Sequence, residues 1–165
     1  MVVEMKIFGL ALDEKSQVPL LILKDKEEKQ VLPIWIGAME AMSISISLNK
    51  VDISRPLTHD LMLGTLETLG ATLEKVVVVD LHQGTYYAEI YLQHDDQTFL
   101  IDSRPSDAIA LAVRTGSPIF ARKELLDQVA KQFAQDTEAV LKDEESEKWT
   151  EFLEKFDVEN NKYKM

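Results

Sequence analysis

Two short segments of this chain set an arginine, a proline and one or more acids where a helix should begin. They are Ser54-Arg55-Pro56-Leu57-Thr58-His59-Asp60 and Ser103-Arg104-Pro105-Ser106-Asp107. A structural reading accounts for much of both. Proline is pre-set for a first helical turn, Ser or Thr caps it, and the acid complements the positive end of the helix dipole. The charged members also suit chemistry. Free N–H groups at a helix start bind phosphate, and a neighbouring arginine adds a two-pronged fork. Arg55 and Arg104 are two of four arginines in the chain. Each is open to two roles, contact with a phosphate or an ion pair with a nearby aspartate.

His59 is the side-chain type best poised for proton transfer near neutral pH, and Asp60 is a hard oxygen ligand of the kind Mg²⁺ or Mn²⁺ takes. Helical neighbours point about 100° apart, so this pair need not share a substrate, and a structural role for both stays open. Asp102 and Asp107 lie five apart across a strand-to-helix turn. Carboxylates beside two arginines can form a divalent-cation site that positions a phosphodiester. Against this, the chain has no HExxH, EF-hand loop, P-loop or GxGxxG. His82 and His94 fall in turns and read as solvated. Tyr87, Glu89 and Tyr91 share one strand face that could stack bases, although such tyrosines are usually ordinary sheet residues.

The elements around these residues come in two similar runs. Segments 2–12 and 18–24 read as strands joined by a turn at Asp13-Glu14-Lys15-Ser16, and Val31 to Ile36 is a third strand. Pro33 lacks a ladder donor, so that strand belongs at an edge or a bulge. Lys75 to Leu81, Thr85 to Leu92 and Thr98 to Ile101 repeat the order. A shift of 67 positions lays the second run on the first and sets Asp107 on Glu40, which predicts a duplication. After each third strand comes an alternation of small and large residues, Ser43 to Leu48 and Ala108 to Val113. Period two suggests strand. The Ala and Ser content and the acids at Glu40 and Asp107 favour helix instead, and helix is the expectation for both. Leu61, Met62, Leu66 and Leu69 recur at helical spacing between the runs, with Gly70 as the stop. Gly116-Ser117-Pro118 turns the chain into a short strand at Ile119-Phe120-Ala121. From about Arg122 the composition becomes acidic, without Gly or Pro, and reads as a mostly helical tail.

The 165 residues fit one domain with an appendage: residues 1–121 as an α+β domain and 122–165 as the tail. The expected fold is two β-β-β-α units forming a mixed sheet packed with helices. The absence of cysteine excludes disulfides, thiolate metal sites and cysteine nucleophiles. The start of the chain reads as a strand, and no apolar run is long enough to span a bilayer. A cytoplasmic protein without membrane contact is expected. The formal net charge is −11, so a nucleic-acid ligand would need a local basic patch or a bridging cation.

Four separated stretches carry a family likeness: LPIWIGAMEA, RPLTHDL, GTYYAEI and IDSRPSDAIALAVRTGSPIF. In this order they resemble the bifunctional nuclease (BFN) domain family over about residues 2 to 121. The resemblance implies RNase and DNase activity. It carries over Arg55, His59 and Asp60 from the RPLTHD motif, and Asp102, Arg104 and Asp107 from IDSRPSD.

Two functions follow as expectations. In the first, the chain is a cation-assisted nuclease acting on RNA and DNA. Asp60, Asp102 and Asp107 hold Mg²⁺ or Mn²⁺, Arg55 and Arg104 clamp phosphate, and His59 acts as acid or base with Asp60 and Asp107 beside it. In the second, the chain is a non-catalytic regulatory or scaffolding oligomer whose Arg–Asp pairs lock helix entrances. Trp149, Phe152, Leu153 and Phe156 fall at i, i+3, i+4 and i+7 in the tail, a stripe that needs a partner surface. A homo-oligomer, most simply a dimer, is expected.

Overall fold

The computed structural model describes residues 1–13 and 16–140, with side chains as far as Phe133. Val2–Leu12 (β1), Pro19–Asp25 (β2) and Val31–Trp35 (β3) form an antiparallel meander that feeds a helix, Ala38–Leu48 (α1). A second helix, Thr58–Thr68 (α2), links this unit to a second meander of Ala71–His82 (β4), Thr85–His94 (β5) and Gln97–Ser103 (β6). That meander feeds Pro105–Thr115 (α3), followed by a short strand, Ile119–Arg122 (β7), and a long helix, Lys123–Val140 (α4). The fold is α+β, as expected. The shift of 67 carries α1 onto α3 residue for residue and puts Glu40 and Asp107 at the third position of their helices.

All seven strands form one sheet in the order β3-β2-β1-β7-β4-β5-β6. The four-residue β7 joins the units, antiparallel to β1 and parallel to β4. Pro33 sits on an edge strand, where its missing N–H costs no ladder bond. The outer strands differ. Leu32 and Ile34 of β3 are buried, whereas Phe99, Leu100 and Ile101 of β6 are all exposed.

One continuous core gathers Met5, Leu21, Leu23, Leu32, Ile34, Ile44, Val76, Val78, Ile90, Ile109, Leu111 and Ile119 between the sheet and the helices. The alternating run in the second unit is helical because α3 is enclosed on most sides. Ala108, Ala110 and Ala112 are buried beside Ile109 and Leu111, and their small side chains let α1 and α3 pack directly on each other. Leu125, Leu126 and Val129 of α4 join the same core.

Helix α2 lies more shallowly and has no buried residue. Of the four apolar positions expected to form its stripe, only Leu66 packs on the core. Leu63 accompanies it, while Leu61, Met62 and Leu69 are exposed. The inward stripe is thus Leu63 and Leu66, and His59 lies on it at i−4 and i−7. Gly70, at φ +79°, takes the left-handed turn just past the helix cap. Among the described residues no helix is long and apolar enough to cross a membrane. Trp149, Phe152, Leu153 and Phe156 lie outside the described residues.

Candidate active site

The N-terminal turns of α1, α2 and α3 converge, and each carries a carboxylate at its third position: Glu40, Asp60 and Asp107. Two arginines of α3's own segment organise them. Arg104, the N-cap of α3, donates from Nε to Asp107 Oδ2 at 2.7 Å and from NH1 to Glu40 Oε1 at 2.9 Å. It thereby ties the two repeat units together. Gly37 makes room for this, because a Cβ there would collide with the Glu40 carboxylate. Arg114, two turns along α3 from Asp107, donates from Nε to Asp60 Oδ1 at 2.7 Å, from NH1 to the Ala110 carbonyl, and from NH2 to the Ser43 carbonyl and Oγ. The other Asp60 oxygen accepts the Leu57 N–H at 2.9 Å, closing the start of α2.

The two ion pairs differ in kind. Arg114 is only 7% exposed, so losing its partner would leave a buried charge. Arg104 is 65% exposed, and a solvated pair of that sort contributes about 0.2–1 kcal/mol. Arg114 is therefore an anchor. Arg104 can exchange its carboxylates for another anion at small cost.

His59 sits between the units. Its Nε2 is 3.0 Å from Asp107 Oδ1, and its Nδ1 is 2.9 Å from Ser43 Oγ. A carboxylate offers only lone pairs, so the neutral ring carries its proton on Nε2 and leaves Nδ1 as the acceptor. Burial pushes the Asp107 carboxyl up, but hydrogen bonds from Arg104 and His59 and the Arg104 charge outweigh it. The net result lies below the ordinary carboxylate value. Asp60 behaves alike: burial raises it, and Arg114, the Leu57 N–H and His59 bring it below the ordinary value. Both stay ionised at neutral pH.

Arg55 points elsewhere. It lines an open groove of about 680 Å³ with Lys50, Ser54, Pro56, Asp60 and Arg114. Among the described residues neither Arg55 nor Lys50 enters an ion pair. In a chain of net charge −11, two uncommitted cations in one groove form a local basic patch.

Asp102 does not join this cluster. It lies opposite Glu89 in the β5–β6 ladder, whereas the neighbouring pairs Ala88–Ser103 and Ile90–Ile101 set Ala88 and Ile90 into the helix-covered core. Asp102 is thus on the opposite face of the sheet. On that face Tyr91 donates to Glu89 at 3.1 Å and Lys75 lies over the Tyr91 ring. Among the described residues no three His, Asp or Glu side chains gather closely enough to hold a metal ion. Asp60, Asp102 and Asp107 therefore form no shared cage, and no step is derived through one.

The residue model of the bifunctional nuclease domain matches residues 21–134, most of the chain and all of the site. The chain belongs to the bifunctional nuclease domain family. Relatives of this BFN domain include an uncharacterized protein of Mycobacterium tuberculosis, 34% identical over 155 residues that cover 92% of this chain and 93% of the relative. They also include Bifunctional nuclease 2 of Arabidopsis thaliana, 32% identical over 98 residues, 58% of this chain and 30% of that protein. Bifunctional nuclease 2 of Oryza sativa subsp. japonica is 26% identical over 121 residues, 71% of this chain and 37% of that protein. The chain thus spans about a third of the length of these plant proteins.

Sequence reasoning on the BFN domain singled out His59, Asp107 and Arg104, which the fold brings into contact. Ser43 and Arg114 escaped it. A signal existed for each: Ser43 lies three residues from Glu40 on α1, and Arg114 lies seven from Asp107 on α3, spacings that share a helix face.

Proposed function

We propose that the chain is a nuclease that hydrolyses phosphodiester bonds in RNA and DNA, with His59 moving the proton and Arg55 and Arg104 holding phosphate. One observation carries this reading. His59 and Asp107, from motifs 48 residues apart, meet at 3.0 Å, the contact that orients an imidazole for acid–base work. Asp107 fixes the ring and its tautomer and balances the imidazolium when His59 takes a proton. Arg104 turns from its carboxylates toward a phosphate oxygen, and the groove with Arg55 and Lys50 takes the neighbouring phosphates. The names of the plant relatives supply the substrate class.

The test uses rigorously purified protein with RNA and with single-stranded DNA, with and without EDTA, beside an Asp107→Asn variant. The expected result is cleavage of both substrates that persists in EDTA and falls about 10²-fold or more in the variant. Equal activity of the variant and the parent would assign the cleavage to a contaminant and end this reading.

A second reading keeps support from the ion pairs themselves. Glu40, Asp60 and Asp107 are all engaged by arginines that join three helices, which suits a non-catalytic regulatory or scaffolding module. On either reading we take the chain to act as a homo-oligomer, most simply a dimer. The support is β6, an edge strand that exposes Phe99, Leu100 and Ile101. Light scattering of the full chain tests it.

A further inference from the structure

We infer that Ser43 is a nucleophile, activated by His59 and Arg114, that takes the phosphoryl group onto its Oγ. The inference deepens the proposed nuclease reading, and its substrate, a phosphodiester, rests on that reading.

The argument is one of hydrogen-bond direction. Arg114 can only donate, so its NH2, 3.2 Å from Ser43 Oγ, occupies a lone pair of that oxygen. Asp107 can only accept, so the neutral His59 ring gives it the Nε2 proton across 3.0 Å. The Nδ1 lone pair then faces Ser43 Oγ at 2.9 Å, and the hydroxyl proton has one consistent place to go. The chain reads Arg114 to Ser43 to His59 to Asp107, with each donor and acceptor role fixed by its neighbour. A serine whose proton is directed at a base, whose base is oriented by a carboxylate, and whose oxygen faces a guanidinium is equipped to become an alkoxide. A serine serving only to join helices needs none of this polarity. Arg114 is held for the task by Asp60 and by the Ala110 and Ser43 carbonyls.

The step balances without any further reagent. Ser43 Oγ bonds to phosphorus as its proton passes to His59 Nδ1. The phosphorus–oxygen bond to the leaving nucleotide breaks, and that oxygen takes the proton from His59. Water then attacks the phosphoserine, gives a proton to His59, and releases a phosphate monoester as the Ser43 hydroxyl is restored.

A fluorophosphonate probe tests the activated serine independently of any nucleic acid, because Oγ attack expels fluoride and leaves a stable adduct. The intact chain is treated with the probe and mapped by mass spectrometry, in parallel with His59→Ala and Ser43→Ala chains whose melting temperatures are recorded. The expected result is one adduct, on Ser43, formed at least tenfold more slowly in His59→Ala. No adduct on Ser43 in the unaltered chain, or labelling of Ser43 indifferent to His59, overturns the inference. Nucleic-acid cleavage separates the two claims. Cleavage at full rate by a folded Ser43→Ala chain removes Ser43 as nucleophile and leaves the nuclease reading standing. Labelling of Ser43 in a chain that cleaves neither RNA nor DNA supports the nucleophile and removes the substrate.

Discussion

The two repeat units share a backbone and divide the chemistry unequally. Under the shift of 67, the cations of the second unit, Arg104 and Arg114, fall on Gly37 and Ser47 of the first. The first unit instead supplies acceptors, Glu40 and Ser43, where the second has Asp107 and Ala110. The same shift lays α2 over residues 125–135 of α4, so that His59 falls on Leu126 and Asp60 on Asp127. Leu126 is 3% exposed and packs in the core, while α2 buries nothing fully. Helix α2 packs on α3 and β4, whereas α4 packs on β3, β4 and β7. A duplicated scaffold thus offers equivalent positions twice. One copy has put hydrophobic packing there, and the other has put a histidine between two helix entrances. Chemistry collects where the repeat symmetry is broken.

The comparison of Asp60 with Asp107 gives the largest expected effect on stability. Both are third-position acids paired with an arginine, but only Asp60 neutralises a buried one. Asp60→Ala leaves Arg114 without its carboxylate and should cost about 3 kcal/mol in denaturant unfolding, at the low end for a broken buried pair because Asp60 itself is 38% exposed. A cost below about 1 kcal/mol would show that Arg114 is no anchor.

Acid unfolding sharpens the same comparison. Both carboxyls sit below their ordinary value of 3.8 in the folded chain. Their stabilisation is therefore complete above that value and is lost as pH falls through the folded pKa. The melting temperature should drop as pH falls below about 3.8, and Asp60→Asn, already destabilised, should drop less over that window. Parallel acid limbs in the two proteins would contradict the ion-pair account.

The smallest stability effect belongs to Arg104. Arg104→Gln should cost no more than about 1 kcal/mol, as expected for an exposed pair, yet it should raise KM for nucleic acid about tenfold and leave kcat less affected. A large stability loss with unchanged KM would make Arg104 a clasp between the units and nothing more.

Much of this architecture is legible from residues alone. Ala108, Ala110 and Ala112 marked a helix despite their period-two alternation, because small residues suit an enclosed helix and make a poor strand. Pro33 marked an edge. The central place of β7 was hidden, since four residues carry no sign that their partners are β1 and β4. The site was legible as residue types but only partly as contacts. Two motifs at helix entrances suggested His59, Arg104 and Asp107. Ser43 and Arg114 become partners only once the faces of α1, α2 and α3 are set against one another. Asp102 shows the opposite error: five residues of separation looked like nearness, but the pleat of β6 turns it to the other side of the sheet.

The central claim is that His59 is where the repeat departs from packing and takes up chemistry. Replacing it with the residue of its counterpart, His59→Leu, tests that most directly, by single-turnover cleavage of a single-stranded RNA and a single-stranded DNA oligonucleotide. The account predicts a folded protein whose first-order cleavage rate falls about 10²–10⁴-fold on both. Cleavage within threefold of the unaltered chain, at an unchanged melting temperature, would contradict it.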